Sequence, residues 1–268
     1  MRGIVVGVLI ATCGMLAGLC SARAGAFTMP EGEIKLFAVA FAQEGDQYFD
    51  RKGRPQPRDH FLKRELQLFG EYGWTDALTL FAAASLQDIS VRGEARSRRT
   101  GLGRVELGVR RRLYANDGWI VSAQASGLIS GARSSDDLAA IGETDDQADV
   151  RALVARSFEA FGGHGFVDLQ AGYRARFGDP ADEARFDATL GWRRAGSRWQ
   201  WLAQSFNTFG LSRWDGRYPL RQRIHKLQTG ALYDLTAALS LYAAAFTTPI
   251  GRDALDERGL VLGLACRF

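Results

Sequence analysis

From residue 33 to the end of the chain, apolar and polar positions alternate with a period of two, which is the pattern of strands with unlike faces. Residues 260–268 show it most clearly. Leu260, Leu262, Leu264, Cys266 and Phe268 share one face, and Val261, Gly263, Ala265 and Arg267 the other. The same alternation predicts strands at residues 33–42, 61–72, 78–86, 102–114, 119–130, 150–158, 185–193, 199–207, 224–233 and 239–247, with another between Val167 and Phe177. Together they make about twelve, or ten if the weaker stretches at 150–158 and 199–207 dissolve. In the first strand Phe37, Val39 and Phe41 form the expected outer face. In the second, Leu62, Leu66, Leu68 and Tyr72 oppose Lys63, Glu65, Gln67 and Glu71.

The connections between these strands alternate in kind. Residues 43–57, 92–100 and 131–147 read as longer, charged loops, whereas 73–77, 115–118 and 161–165 read as short turns. Asp117-Gly118 is a strong two-residue hairpin signal. Residues 72–80 and 233–241 repeat one arrangement of aromatic, turn and alternating strand, which favours an up-and-down architecture. A terminal apolar strand leaves an open edge unless the first strand pairs with it, as a closed barrel provides. Long loops on one rim, short turns on the other and both termini on the short-turn side require an even strand number. Alternation alone does not say whether the Phe, Leu and Trp face points inward, as in a soluble sandwich or lipocalin-like barrel, or outward to lipid.

The N-terminal residues bear on that choice. Arg2, an apolar run from Ile4 to Leu19 and the small-residue site Ala22-Arg23-Ala24 have the order of a secretory signal peptide, with cleavage expected after Ala24 and Ala26 as the alternative. Cys20 suggests a lipoprotein, but the large Leu19 before it argues against lipidation, and the run is short for a membrane span. The predicted domains are thus a signal peptide at 1–24 and one barrel domain at 25–268. Without residues 1–24 the chain holds 32 basic and 30 acidic residues, a net charge of +2, which gives no reason to expect a nucleic-acid partner. Only Cys266 remains, so no internal disulfide can form and stability must come from elsewhere.

If the apolar faces meet lipid, the opposite faces line a lumen. Lys63, Arg104, Arg110, Arg112, Arg151, Arg174, Arg176, Arg185, Arg193 and Lys226 fall there, against Glu65, Glu106, Asp168 and Asp187. Ten basic positions to four acidic ones predict a positive interior that concentrates anions. Arg104 with Glu106, and Arg185 with Asp187, are spaced to form ion-pair ladders in a packed lumen instead. Phe209, Leu211, Trp214 and Tyr218 are apolar residues in a predicted loop, suited to an aromatic girdle or a lumen cap. None of His60, His164 and His225 has a serine two residues on, the arrangement a barrel phospholipase needs. No His or Cys cluster suggests a metal, and no cofactor is expected.

The terminal Phe268 on an alternating strand resembles the C-terminal signature of bacterial outer-membrane β-barrels. That resemblance implies an all-β transmembrane barrel in the outer membrane of a Gram-negative cell, with lipid and the barrel assembly machinery as partners and Phe268 as the assembly signal. The arginine-rich lumen resembles the twelve-stranded outer-membrane channels for acidic oligosaccharides. Residues 26–32 with 72–76 are similar to an exported barrel family named for the meta pathway of phenol degradation, which implies passage of a small aromatic or organic solute. The expected function is a passive, porin-like conduit rather than an enzyme. A closed structural or ligand-binding barrel and an outer-membrane lipid-modifying enzyme are the alternatives.

Overall fold

The computed structural model describes residues 25–93, 96–131, 139, 144–215 and 219–268. The predicted signal peptide and Tyr218 lie outside the described residues. Twelve strands form one closed antiparallel barrel: β1 (Ile34–Phe49), β2 (Pro55–Thr75), β3 (Leu78–Arg92), β4 (Arg96–Asn116), β5 (Trp119–Ser130), β6 (Gln147–Ala160), β7 (Gly163–Arg176), β8 (Glu183–Arg194), β9 (Trp199–Gly210), β10 (Arg223–Asp234), β11 (Leu239–Arg252) and β12 (Ala254–Arg267). Each pairs with its neighbours in sequence, and β12 closes onto β1 from Lys35↔Arg267 to Phe49↔Ala254. The last rung is reciprocal: the Phe268 N–H donates to the Ile34 carbonyl at 2.9 Å, and the Ile34 N–H to the Phe268 carbonyl at 3.1 Å.

The leucine face points outward. Leu68 is 57 % exposed, Leu107 60 % and Leu262 64 %, too large an apolar surface for a water-facing wall but the belt that a lipid-facing barrel needs. Aromatic pairs rim the belt. Trp199 contacts Trp201 and Tyr233 toward the short-turn rim, and Phe186 meets Phe209 edge-on toward the other. Two turns have both central residues at positive φ, as two-residue hairpins require: Asp117 and Gly118, and Phe161 and Gly162.

Two expectations need correction, and the strand count is settled at twelve. Phe37, Val39 and Phe41 face the lumen. Paired residues of neighbouring strands share a face, and Phe37↔Ala265, Val39↔Gly263 and Phe41↔Val261 set these side chains beside the inward face of β12. Val39 and Phe41 pack there on Ala244, Phe246 and Val261. The charged stretches 43–57 and 92–100 are mostly strand, so that the first connection shrinks to residues 50–54 and the third strand runs to Arg92. Pro55 and Pro57 are tolerated because β2–β3 pairing begins only at His60↔Arg92, leaving β2 an edge strand beyond that rung. The weaker sixth and ninth strands are complete members of the barrel, which excludes the ten-strand count.

Before β1, residues 25–32 turn into the lumen instead of leaving it. The Gly32 N–H donates to the Gly73 carbonyl at 2.9 Å and the Met29 N–H to Thr79 Oγ1 at 2.8 Å. Phe27 then stands edge-on to Phe166 of β7, and Ala26 and Phe27 join Leu153, Ala155 and Phe166 in a buried cluster. This strap crosses the interior on the short-turn side.

Replacing Leu262 with arginine, near the middle of the apolar belt, is expected to destabilise the folded barrel by about 2–4 kcal/mol. Denaturant titration in lipid vesicles checks this; an unchanged midpoint would mean that this face does not meet hydrocarbon.

Candidate functional site

The interior wall carries the ten basic side chains singled out from the sequence, and the structure divides them into tied and less tied. On β6, β7 and β8 they form a network. Asp149 accepts from Arg151 Nε at 2.7 Å and from Arg174 Nε at 2.8 Å; Arg151 also reaches Asp187 at 2.6 Å. Arg176 bridges Asp145 at 2.6 Å and Glu183 at 3.0 Å. Elsewhere Lys63 pairs with Glu65 and Lys226 with Glu257, both at 3.0 Å, and Arg193 pairs with Asp234. Arg110 donates to Glu71 and to the Phe27 carbonyl, each at 2.9 Å, and to Gln124 at 3.1 Å, so it fastens the strap to the wall. Arg112 follows on the same face of β4, opposite Ser122. Arg185 is held more loosely, 3.5 Å from Glu183 and 3.4 Å from Thr208 Oγ1.

This corrects the charge count. Five carboxylates that the alternation did not assign to the lumen, Asp145, Asp149, Glu183, Asp234 and Glu257, stand against the basic groups, together with Glu71, which lay on the polar face of the second strand but outside the count. Lys35 is a further inward cation. The interior is therefore close to charge balance and is not uniformly positive. Desolvation explains why: a buried guanidinium is tolerable only when paired. The predicted Arg185–Asp187 ladder gives way to pairs across strands, Arg151 taking Asp187, while Glu106 accepts a hydrogen bond from Ser126 at 2.6 Å.

Beneath the long loops lies a cavity of about 560 Å³. Lys63, Arg104, Arg174, Arg176, Arg185 and Lys226 contribute cations to its lining, with Phe41, Phe61, Phe206, Phe246 and Trp214 supplying aromatic surface. Trp214 is buried, with the Arg176 guanidinium 5.4 Å from its ring centre, so it caps the lumen; Phe209, by contrast, lies outward on β9 in the girdle. A second recess of about 630 Å³ lies on the outer wall, where Ala123, Ala125, Ala152 and Ala171 leave room between Val109 and Phe186. It belongs to the lipid-facing belt, and its surface is mostly apolar.

The histidines do not assemble a nucleophile. His60 Nδ1 meets Asp46 Oδ1 at 2.6 Å, His164 meets Glu159 at 3.3 Å on the short-turn rim, and His225 meets Asn207. None of them hydrogen-bonds a serine among the described residues. No group of three or more His, Cys, Asp or Glu is placed to hold a metal ion among those residues.

No protein-family model and no curated protein sequence matches the chain. Solved structures do. An outer-membrane channel from Pseudomonas putida F1 superposes with a TM-score of 0.75 at 18% identity, covering 93% of this chain and 100% of that one. The transport unit of the autotransporter AIDA-I from Escherichia coli gives 0.54 at 10% identity over 100% of this chain and 98% of that one. The KdgM porin, solved with disordered oligogalacturonate, gives 0.50 at 8% identity over 87% and 99%. The fold is that of bacterial outer-membrane β-barrels.

Replacing Asp149 with asparagine removes the acceptor shared by Arg151 and Arg174, and is expected to cost about 3–5 kcal/mol because it leaves a buried positive charge uncompensated. Adding Arg174→Gln should recover part of that loss. Unfolding curves of the single and double variants measure the coupling, and strictly additive losses would show that the network is not a unit.

Proposed function

We propose that the protein is a passive channel of the outer membrane that admits small organic anions, aromatic carboxylates among them. The observation that carries this reading is the chamber beneath the long loops, where cationic edges and aromatic faces line one cavity inside a closed barrel. A carboxylate finds Arg185 and Lys226 there, and an aromatic ring finds Phe206, Phe246 and Trp214. Arg185 is the best placed to act on a solute, because its nearest carboxylate is 3.5 Å away and does not saturate it. The similarity in fold to a channel and a porin is consistent with this reading. Export by the N-terminal signal and insertion by the assembly machinery, with Phe268 on the closing strand as its signal, complete the proposal.

The strap across the short-turn side favours a second reading, a closed barrel that binds its solute from the long-loop side without passing it. The two readings differ in conduction.

Single-channel recording of the purified mature protein in planar bilayers under a salt gradient separates them. The channel reading expects stable openings that favour anions, a smaller anion preference in Arg185→Gln and Lys226→Gln, and reversible reduction of the current by benzoate. An absence of openings across many insertions, with benzoate still bound to the protein in detergent, would establish the binding barrel instead.

A further inference from the structure

Asp168 is an anomaly in the ion-pair economy of the lumen. It is 1 % exposed, yet no lysine or arginine side chain forms an ion pair with it among the described residues. Its bonds are to neutral donors: the Ala26 N–H reaches Oδ2 at 2.6 Å and Gln170 Nε2 reaches Oδ1 at 2.8 Å. Every other acid of the β6–β8 network meets a guanidinium, and a buried carboxylate without a counter-charge is expensive.

Gly25 sits directly on this carboxylate. It has φ +86°, and a β-carbon at this position would collide with both carboxylate oxygens of Asp168. The requirement for glycine is therefore double, in backbone conformation and in space. The residues that follow are fixed: the Ala26 carbonyl accepts from Ser122 Oγ at 2.5 Å, the Phe27 carbonyl accepts from Arg110, and the Phe27 ring stands on Phe166 at 5.8 Å.

We infer that processing occurs between Ala24 and Gly25, and that the α-ammonium group released there is the missing counter-ion of Asp168, latching the strap across the lumen. Hydrolysis of the Ala24–Gly25 peptide bond by signal peptidase consumes one water. The hydroxyl goes to the Ala24 carbonyl as its new carboxyl group and a proton to the Gly25 nitrogen, which is mostly protonated at neutral pH. The amino nitrogen is one bond from the Gly25 α-carbon, whose missing β-carbon would fall on the Asp168 carboxylate, so the new charge arises beside it. The alternative cleavage after Ala26 would discard the N–H that Asp168 accepts from and the carbonyl that Ser122 bonds, and would leave the carboxylate buried with Gln170 alone. The Ala22-Arg23-Ala24 motif and the seat of Gly25 thus point to the same bond from independent directions. The small residue after the cleavage site is fixed by the barrel as well as by the peptidase.

The test needs no conduction and so stands apart from the channel proposal. The mature protein is extracted from outer membranes, its intact mass is measured, and its amines are acylated at neutral pH with an N-hydroxysuccinimide ester in detergent, followed by peptide mapping. The expected mass is that of a chain starting at Gly25. Its α-amine should be acylated roughly tenfold or more slowly than in the detergent-unfolded chain, as expected for a buried group released only by local opening. In Asp168→Asn that protection should fall, while Lys52 in the exposed β1–β2 turn labels alike in both folded proteins. A mature chain beginning at Phe27 or upstream of Gly25 would overturn the inference. So would a Gly25 amine labelled as fast in the folded wild type as in the unfolded chain, or protection that persists in Asp168→Asn. Should that variant fail to fold, the mass and the wild-type comparison decide by themselves.

Discussion

The pairing of β12 with β1 is the constraint from which the rest of the structure follows. In hydrocarbon an unpaired backbone N–H or carbonyl costs several kcal/mol, so a sheet can cross a bilayer only when its two edges are joined. The closing ladder ends in the mutual Ile34–Phe268 bonds, which occupy the last backbone groups of the terminal strand. Closure with twelve up-and-down strands brings both termini to the same rim. The residues that precede β1 therefore emerge at a mouth of the lumen, and their nearest apolar shelter is the interior itself. The Phe27 ring takes it, against Leu153, Ala155 and Phe166.

Closure also obliges the interior to solve its own electrostatics. Arginines pointing inward meet carboxylates of the same or nearby strands or stay unpaired. Along β6, β7 and β8 the solution is a lattice in which Asp149 serves two arginines and Arg176 two acids. The wall of β1, β11 and β12 solves the same problem by carrying little charge at mid-height, where Val39, Phe41, Ala244, Phe246 and Val261 pack together. The chamber lies between the two kinds of wall, and it keeps its volume because neither wall fills it.

Much of this was legible in the sequence, for physical reasons that differ from element to element. Strand existence and outward belt could be read because Leu260, Leu262 and Leu264 alternate with small or polar residues over a whole strand. The Asp117-Gly118 turn could be read because few residue pairs accept two positive φ values. The face of β1 could not, since Phe37, Val39 and Phe41 alternate with Leu36, Ala38 and Ala40 and both sets are apolar; only the rungs to β12 decide. Charged residues around Tyr48 and Arg96 looked like loops because the wall continues past the membrane, where both faces of a strand meet water. The partners of the arginines were missed for a related reason: Asp145 and Asp149 stand where β6 begins and Glu183 where β8 begins, outside the stretches whose alternation was read. The strap has no periodicity at all, and nothing in residues 25–32 taken alone announces a path through the lumen.

Arg110 shows how sequence position and physical role separate. It shares face and strand with Arg104, and the alternation treats the two as equal members of a basic lining. Yet Arg110 donates to Glu71 on β2, Gln124 on β5 and the carbonyl of Phe27, so that it joins two strands and the strap. Arg104 lies instead on the chamber wall with Arg185 and Lys226. The lumen is thus two regions stacked along one axis: toward the short turns a buried layer that fixes the strap, and toward the long loops a chamber in which Arg185 is the loosely held cation. A solute entering from the long-loop side meets the chamber first, and whether it continues depends on the layer beneath.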